Sequence, residues 1–141
     1  MLNSYFREWY IYLSCNRLKC AIFIGLLMFF LALSISKTSG IGARYFYLFQ
    51  WLIGGDKVLH FIASFSLNFS FQNLLFDKHK SYKVSLFISL LVMSIFILDE
   101  LLQHFLPVRQ IDIYDALVSV LGVFISTIVL LFYKANQTKS G

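Results

Sequence analysis

Charged residues are scarce in this chain. Asp, Glu, Lys and Arg make up 13% of its 141 residues, about half the usual share of a soluble protein. With 59% hydrophobic and 18% aromatic residues, the composition excludes a disordered protein, a coiled coil and a secreted disulfide scaffold. This is the composition of an integral membrane protein, and the length predicts a single membrane domain over residues 1–141.

Recognised catalytic signatures are also missing. The sequence has no HExxH, GxSxG or phosphatase-type SGH motif, and Ile53-Gly54-Gly55-Asp56 lacks the first glycine of the GxGD pattern of membrane aspartyl peptidases. The two cysteines have no partners at metal-ligand spacing. Motifs therefore leave open whether the chain is an enzyme.

Four uncharged runs of 15 to 19 residues predict membrane spans. A helix rises about 1.5 Å per residue, so 18 residues cover about 27 Å, close to a hydrocarbon thickness of about 30 Å. The run at 84–98 is short, and we expect its helix to continue through Asp99 and Glu100 to about Leu106, before Pro107. We predict an all-α polytopic membrane protein, a bundle of four transmembrane helices at residues 20–36, 57–76, 83–106 and 113–133.

The distribution of Lys and Arg predicts the orientation of these spans. Eight of the 12 Lys and Arg residues lie near the termini or in the loop after the second span, and four lie on the other side. The positive-inside rule then places both termini in the cytoplasm. Cys15 and Cys20 are expected to stay reduced on that side.

Two segments outside the spans have patterns of their own. Residues 1–17 predict an N-terminal interfacial amphipathic helix, with one stripe formed by Leu2, Phe6, Trp9 and Leu13. The alternative is a cleavable signal peptide that ends near Ala32-Leu33-Ser34. Residues 45–53 are aromatic, uncharged and too short to span, so we expect a short helix or lid along the outer interface.

Ionisable side chains concentrate at the outer ends of the second, third and fourth spans. Four of the seven acidic residues lie between positions 99 and 115, and the topology brings Asp56 to the same level. A carboxylate within the membrane needs a partner or a proton, and the guanidinium fork of Arg109 is the preferred partner. The predicted polar site comprises Asp56, Lys57, His60, Asp99, Glu100, Gln103, Arg109, Asp112 and Asp115.

Helical spacing predicts that polar faces point into the bundle. On the second span, polar residues recur every four positions at Asp56, His60, Ser64, Asn68 and Gln72. On the fourth, small and polar residues suited to close packing share one face, at Asp112, Asp115, Ser119, Gly122 and Ser126. On the third, Asp99, Glu100, Gln103 and His104 form a wedge of about 140° that cannot face lipid.

The order of these residues resembles the VanZ-like family of bacterial membrane proteins. The matching positions are Asp56-Lys57, His60-Phe61, the segment Asp99 to Arg109, Asp112, Asp115 and Gly122. Two positions depart from the family pattern: Val108, where Gly is usual, and Ser119, where Asn is common. The resemblance implies the fold, the outer polar site and a family link to teicoplanin resistance, and it implies no reaction.

The same residues have plainer interpretations. Asp112 with Asp115, and Asp56, would cap the N-termini of their helices, and His60 and His104 would be satisfied residues of the bundle. The carboxylates and histidines are ligand types for a metal but have no diagnostic spacing, so we assign no metal and no cofactor. The basic loop at residues 78–80 is a topology signal rather than a nucleic-acid patch.

Three functions remain open. The leading hypothesis is a cell-envelope protein whose outer-leaflet site binds an anionic lipid or a lipid-linked headgroup. Lys57 and Arg109 would contact its phosphate, oriented by Asp99, Glu100 and Asp115. The second is a membrane-embedded enzyme that uses the carboxylates and histidines as acids and bases. The third is a structural assembly protein without a ligand. The expected partners are membrane lipids or lipid-linked envelope precursors, and no nucleic acid.

Overall fold

The fold is known from a computed structural model that describes residues 2–76, 82–103 and 112–137, and the side chains of these residues except 2–16, 43, 76, 103, 134 and 137. The described residues form helices and connecting turns without any strand, which confirms the all-α prediction. The helices are α1 (Leu2–Ser39), α2 (Ala43–Ile53), α3 (Asp56–Phe76), α4 (Tyr82–Gln103) and α5 (Ile113–Gln137).

Three of the described helices are long and apolar enough to cross a membrane. The segments are Arg17–Ser39 of α1, Tyr82–Leu102 of α4 and Ile113–Tyr133 of α5. Helix α3, the second span of the sequence prediction, has 21 residues but does not belong to this group. Its Ser, Asn and Gln residues lower its hydropathy. The predicted end of the third span beyond Gln103 lies outside the described residues.

The N-terminal segment differs from the sequence prediction. A separate interfacial helix was expected before the first span, whereas α1 is one helix of 38 residues from Leu2 to Ser39. Residues 2–24 contain neither glycine nor proline. Since nothing interrupts the backbone hydrogen bonds, the helix continues through both segments.

Helix α2 confirms the short helix predicted at residues 45–53. Glycines mark both of its ends: Gly42 precedes it with φ of 70° and Gly54 follows it with φ of 108°. Both angles are in the left-handed region, which glycine adopts without steric cost. These turns fold α2 back against α1 and α3, and Phe46 is buried there.

Helix α3 is the centre of the bundle because it contacts every other helix. Its closest neighbour is α5, which lies against it at Gly122. A Cβ atom on Gly122 would stand 2.8 Å from the carbonyl oxygen of Phe61 and 3.2 Å from the backbone nitrogen of Phe65. The small residue predicted on this face of α5 therefore allows two helix backbones to touch.

The predicted polar stripe of α3 is buried in the bundle. Ser64, Asn68 and Gln72 are fully buried, and Ser119 and Ser126 of α5 are buried opposite them. The amide nitrogen of Asn68 donates to the Ser126 hydroxyl at 2.6 Å and to the Val123 carbonyl at 3.1 Å, both on α5. Interhelical hydrogen bonds thus add to the apolar contacts of Ile88, Val92 and Val123 in holding the bundle together.

The outer surface carries large apolar side chains on every long helix. Met28, Phe87, Phe124 and Phe132 are more than 40% exposed, together with many aliphatic residues of α1, α4 and α5. Soluble monomers do not expose apolar surface on this scale. The arrangement, polar inside and apolar outside, suits a lipid environment.

Candidate functional site

Four helix termini meet at one end of the bundle. They are the C-terminal ends of α1 and α4 and the N-terminal ends of α3 and α5, because successive long helices run in opposite directions. We call this region the polar end. It brings together Lys37, Asp56, Lys57, His60, Asp99, Glu100, Asp112 and Asp115.

Lys57 links α3 to α5. Its Nζ donates to Oδ2 of Asp112 at 2.7 Å and to Oδ1 of Asp115 at 3.3 Å. The ammonium also lies 5.6 Å from the centre of the Tyr114 ring. Lys57 was predicted to contact phosphate, but in the structure its ammonium is already paired with two carboxylates. Asp115, on the first turn of α5, is the more deeply buried partner, with 8% of its side chain exposed.

Lys37 forms the second ion pair of the polar end and was absent from the predicted site. From the last turn of α1, its Nζ donates to Oδ2 of Asp56, the first residue of α3. It also lies 5.9 Å from the centre of the Phe46 ring of α2. The available sequence signal was the position of Lys37 directly after the first span, at the level that the topology assigns to Asp56.

Glu100 and Asp112 join the end of α4 to the start of α5. Glu100 is 4% exposed, and its Oε1 accepts the backbone N–H of Asp112 at 2.9 Å. Oδ1 of Asp112 in turn accepts the N–H of Tyr114 at 2.9 Å, which is the predicted helix cap. The Lys57 ammonium and this N–H hold the pKa of the Asp112 carboxyl below its ordinary value.

His60 stands between two carboxylates. Its Nδ1 lies 3.4 Å from the Ser119 hydroxyl of α5. Its Nε2 lies 3.9 Å from Oδ1 of Asp56 and 3.8 Å from Oδ2 of Asp115. Asp56, His60 and Asp115 are the one group among the described residues whose ligand atoms are close enough to share a metal ion.

A cleft opens beside His60, bounded by α1, α2, α3 and α4. The cleft and the open solvent space at its mouth together have a volume of about 480 Å³. One part of its lining is polar, formed by Ser34, Lys37, Asp56, His60 and Asp99. The remainder is apolar, formed by Phe30, Leu33, Phe46, Leu59, Ala63 and Phe96. Because α2 supplies Phe46, the predicted lid helix borders the cleft.

Two residues of the predicted site, Gln103 and Arg109, stay untested by this geometry. Arg109, the expected partner of the carboxylates, lies outside the described residues. His104, which was not part of the predicted site, lies outside them too. Gln103 is the last residue of α4, and its side chain is not among those described. In the described part of the chain, Lys57 pairs with Asp112 and Asp115, two of the carboxylates that Arg109 was expected to contact.

A buried network continues from the polar end toward the other end of the bundle. The amide nitrogen of Gln72 donates to the hydroxyls of Ser89 at 2.7 Å and Thr127 at 3.0 Å, and the Ser85 hydroxyl donates to its oxygen at 2.6 Å. These bonds connect α3, α4 and α5. They also satisfy both halves of the Gln72 amide, as a buried amide requires.

A comparison with protein-family models, curated proteins and solved structures finds no match to this chain. The geometry of the polar end and of its cleft therefore carries the functional argument.

Proposed function

We propose that this chain is a four-span protein of the bacterial inner membrane, of VanZ-like type, that binds the headgroup of an anionic lipid or lipid-linked envelope precursor. The observation that carries the proposal is the two-part lining of the cleft, polar beside Lys37 and His60 and apolar beside Phe30 and Phe96. An amphiphile has the same division along its length. A cleft at the end of an apolar bundle is where a headgroup and the start of its acyl chains would meet the protein.

The four-span topology is supported by the packing of α3. The helix has 21 residues, and at about 1.5 Å each it covers about 31 Å, enough to cross the hydrocarbon. Its polar residues Ser64, Asn68 and Gln72 are buried against other helices, while Val58 and Ile62 are exposed. Low overall hydropathy therefore does not prevent α3 from presenting an apolar face to lipid.

The orientation, with the polar end outward, is testable by labelling. In a chain with Cys15 and Cys20 changed to Ser, we expect a Cys at Arg44 to react with an impermeant maleimide on intact cells. A Cys at Lys83, which lies at the other end of the bundle, is expected to react only after the membrane is opened. External labelling at Lys83 would contradict the proposed topology.

Lys37 is the phosphate contact that the geometry supports best. It lines the cleft, whereas Lys57 is held by Asp112 and Asp115. An ammonium has three N–H donors, so Lys37 can keep Asp56 and still donate to a phosphate oxygen. The apolar side chains of Leu33 and Leu59 line the same cleft and are placed to contact acyl chains.

The proposal is tested by the lipid that copurifies with the protein. We expect native mass spectrometry to detect phosphatidylglycerol or another anionic lipid on the wild-type chain. Lys37→Gln is expected to weaken its retention about tenfold to 100-fold, since a hydrogen bond to a charged group contributes about 1.5–3 kcal/mol. Leu33→Trp, which fills the cleft, is expected to reduce retention without changing any charge.

Lys83→Gln is the matched control, because it removes a lysine exposed at the opposite end of the bundle. It is expected to retain lipid as the wild type does. Equal lipid retention by Lys37→Gln and Lys83→Gln would contradict the proposal. A fall in melting temperature for Lys37→Gln, without loss of lipid, would favour the purely structural function of the polar end.

A further inference from the structure

Each carboxylate beside His60 is held by a lysine through one oxygen and faces the ring with the other. Lys37 bonds Oδ2 of Asp56, and Oδ1 of Asp56 faces His60. Lys57 bonds Oδ1 of Asp115, and Oδ2 of Asp115 faces His60. The two lysines thus act as outer partners that fix both carboxylates and direct one oxygen of each toward Nε2 of His60.

The distances at His60 are too long for hydrogen bonds. Nε2 stands 3.9 Å from the Asp56 oxygen and 3.8 Å from the Asp115 oxygen, whereas an N–H···O bond spans about 2.7–3.2 Å. They are closer to the separation of two ligands of one metal ion. Ligand atoms that each lie about 2.1 Å from Zn²⁺ stand about 3.4 Å apart, so the two His60 pairs must close by about half an ångström. The two carboxylate oxygens must close as well, from a separation of at most 4.8 Å.

The Asp56 oxygen that faces His60 gives an independent indication. This Oδ1 atom is buried and has no hydrogen-bond partner among the residues that the structure describes. A buried carboxylate oxygen without a partner is costly, and it is one of the groups that a bound cation satisfies. Its neighbour His60 is oriented by the Ser119 hydroxyl at Nδ1, which leaves Nε2 as the nitrogen available to a ligand.

The charge of the polar end has the same implication. Around His60, the three carboxylates of Asp56, Asp112 and Asp115 face the two ammonium groups of Lys37 and Lys57. One negative charge therefore exceeds the positive charge of these five side chains. A divalent cation offsets it and gives a phosphate oxygen a site of attraction.

We propose that Asp56, His60 and Asp115 bind one divalent transition-metal ion of the Zn²⁺ type. Their ligand atoms lie within 4.8 Å of one another. An imidazole with carboxylates suits Zn²⁺, whereas Mg²⁺ takes oxygen ligands. Three protein ligands leave an open position, and Asp56 and His60 both line the cleft. Resting on the proposed function, we assign that open position to a phosphate oxygen of the headgroup.

Metal binding is measured on the full chain in detergent, stripped with a chelator and titrated with Zn²⁺ in a calorimeter. We expect one equivalent to bind and to raise the melting temperature. His60→Gln and Asp115→Asn are expected to weaken binding about 100-fold or more, because even changes to outer partners cost about 10- to 100-fold. The carboxylate control is Asp77→Asn, which follows the far end of α3 in the sequence and is expected to bind as the wild type does.

Two results would overturn the metal site. One is Zn²⁺ binding of equal strength and stoichiometry in His60→Gln and the wild type, which would mark adventitious binding elsewhere. The other is no Zn²⁺ binding to a folded wild type. His60→Gln keeps a side chain of similar size, so a comparison of melting temperatures without metal shows that it is folded.

A separate measurement distinguishes this inference from the proposed function. Lipid retention is compared before and after chelation in the wild type and in Lys37→Gln. Loss of lipid on chelation supports both the metal and its contact with the headgroup. If the wild type binds Zn²⁺ but keeps its lipid when the metal is removed by the chelator, only the contact between the metal and the headgroup is contradicted. Lipid retention that depends on Lys37, in a chain that binds no Zn²⁺, supports the proposed function and overturns the metal site.

Discussion

Gly122→Ala is expected to destabilise the bundle by about 2–3 kcal/mol, near the upper end of the cost of overpacking a core. Elsewhere in a helix, alanine in place of glycine stabilises by up to about 1 kcal/mol. At Gly122 the added methyl group meets the hydroxyl of Ser64 and the backbone of α3 at Phe61 and Phe65. Backbone atoms cannot rotate away, so α3 and α5 must separate. Thermal unfolding in detergent measures the loss.

The chain provides a matched control for this change. Gly25 lies inside α1 and has no atom within 4 Å of the position that a Cβ would take. Gly25→Ala is expected to leave the melting temperature unchanged or to raise it. Adding Ser64→Ala to Gly122→Ala removes only the hydroxyl contact, so stability is expected to recover in part. Equal melting temperatures for Gly122→Ala and Gly25→Ala would contradict the close α3–α5 contact.

Gln72→Leu is expected to cost about 2 kcal/mol, the second-largest effect among these substitutions. Leucine has nearly the same volume, so the change removes hydrogen bonds with little change in packing. The Ser85 hydroxyl loses its acceptor, and Ser89 and Thr127 lose a donor that connects α3 to α4 and α5. Buried side-chain hydrogen bonds in membrane proteins average about 0.6 kcal/mol, and the groups left unpaired add about 1–3 kcal/mol.

Ser94→Ala is the control for Gln72→Leu. Ser94 is exposed on α4, and its hydroxyl bonds only the carbonyl of Leu90 in its own helix. A change of less than about 0.5 kcal/mol is expected, as for most surface substitutions. Chemical denaturation in detergent compares the two variants. If Gln72→Leu is as stable as Ser94→Ala, the network contributes no net stability and the apolar contacts alone hold α4.

These two substitutions separate the forces that position the polar end. Gly122 sets how closely α5 approaches α3, and Gln72 connects α4 to both. The ion pairs of Lys57 join α3 to α5, whose spacing Gly122 limits, and Lys37 joins α1 to α3. We therefore expect variants of the inner residues to alter lipid and metal binding together with stability. Variants of Lys37 or His60 are expected to alter binding with little loss of stability.

The uncharged runs predicted the helical class, and periodicity predicted the inward polar face of α3. Recurrence every four residues on α3 predicted the buried stripe through Ser64, Asn68 and Gln72, because one face of a helix is a local property of the sequence. The aromatic, uncharged stretch at residues 45–53, too short to span a membrane, predicted the short helix α2. The continuous α1 was not predicted, since composition changes along a helix without breaking it.

Only the tertiary structure decided which charges pair. The sequence placed several carboxylates and cations at one level, and Arg109 was the preferred partner because of its fork geometry. In the described residues, Lys57 pairs with Asp112 and Asp115, and Lys37 pairs with Asp56. Arg109 lies outside these residues. Pairing depends on the rotation and separation of helices that are far apart in sequence. Those quantities follow from side-chain packing at residues such as Gly122, and no local pattern encodes them.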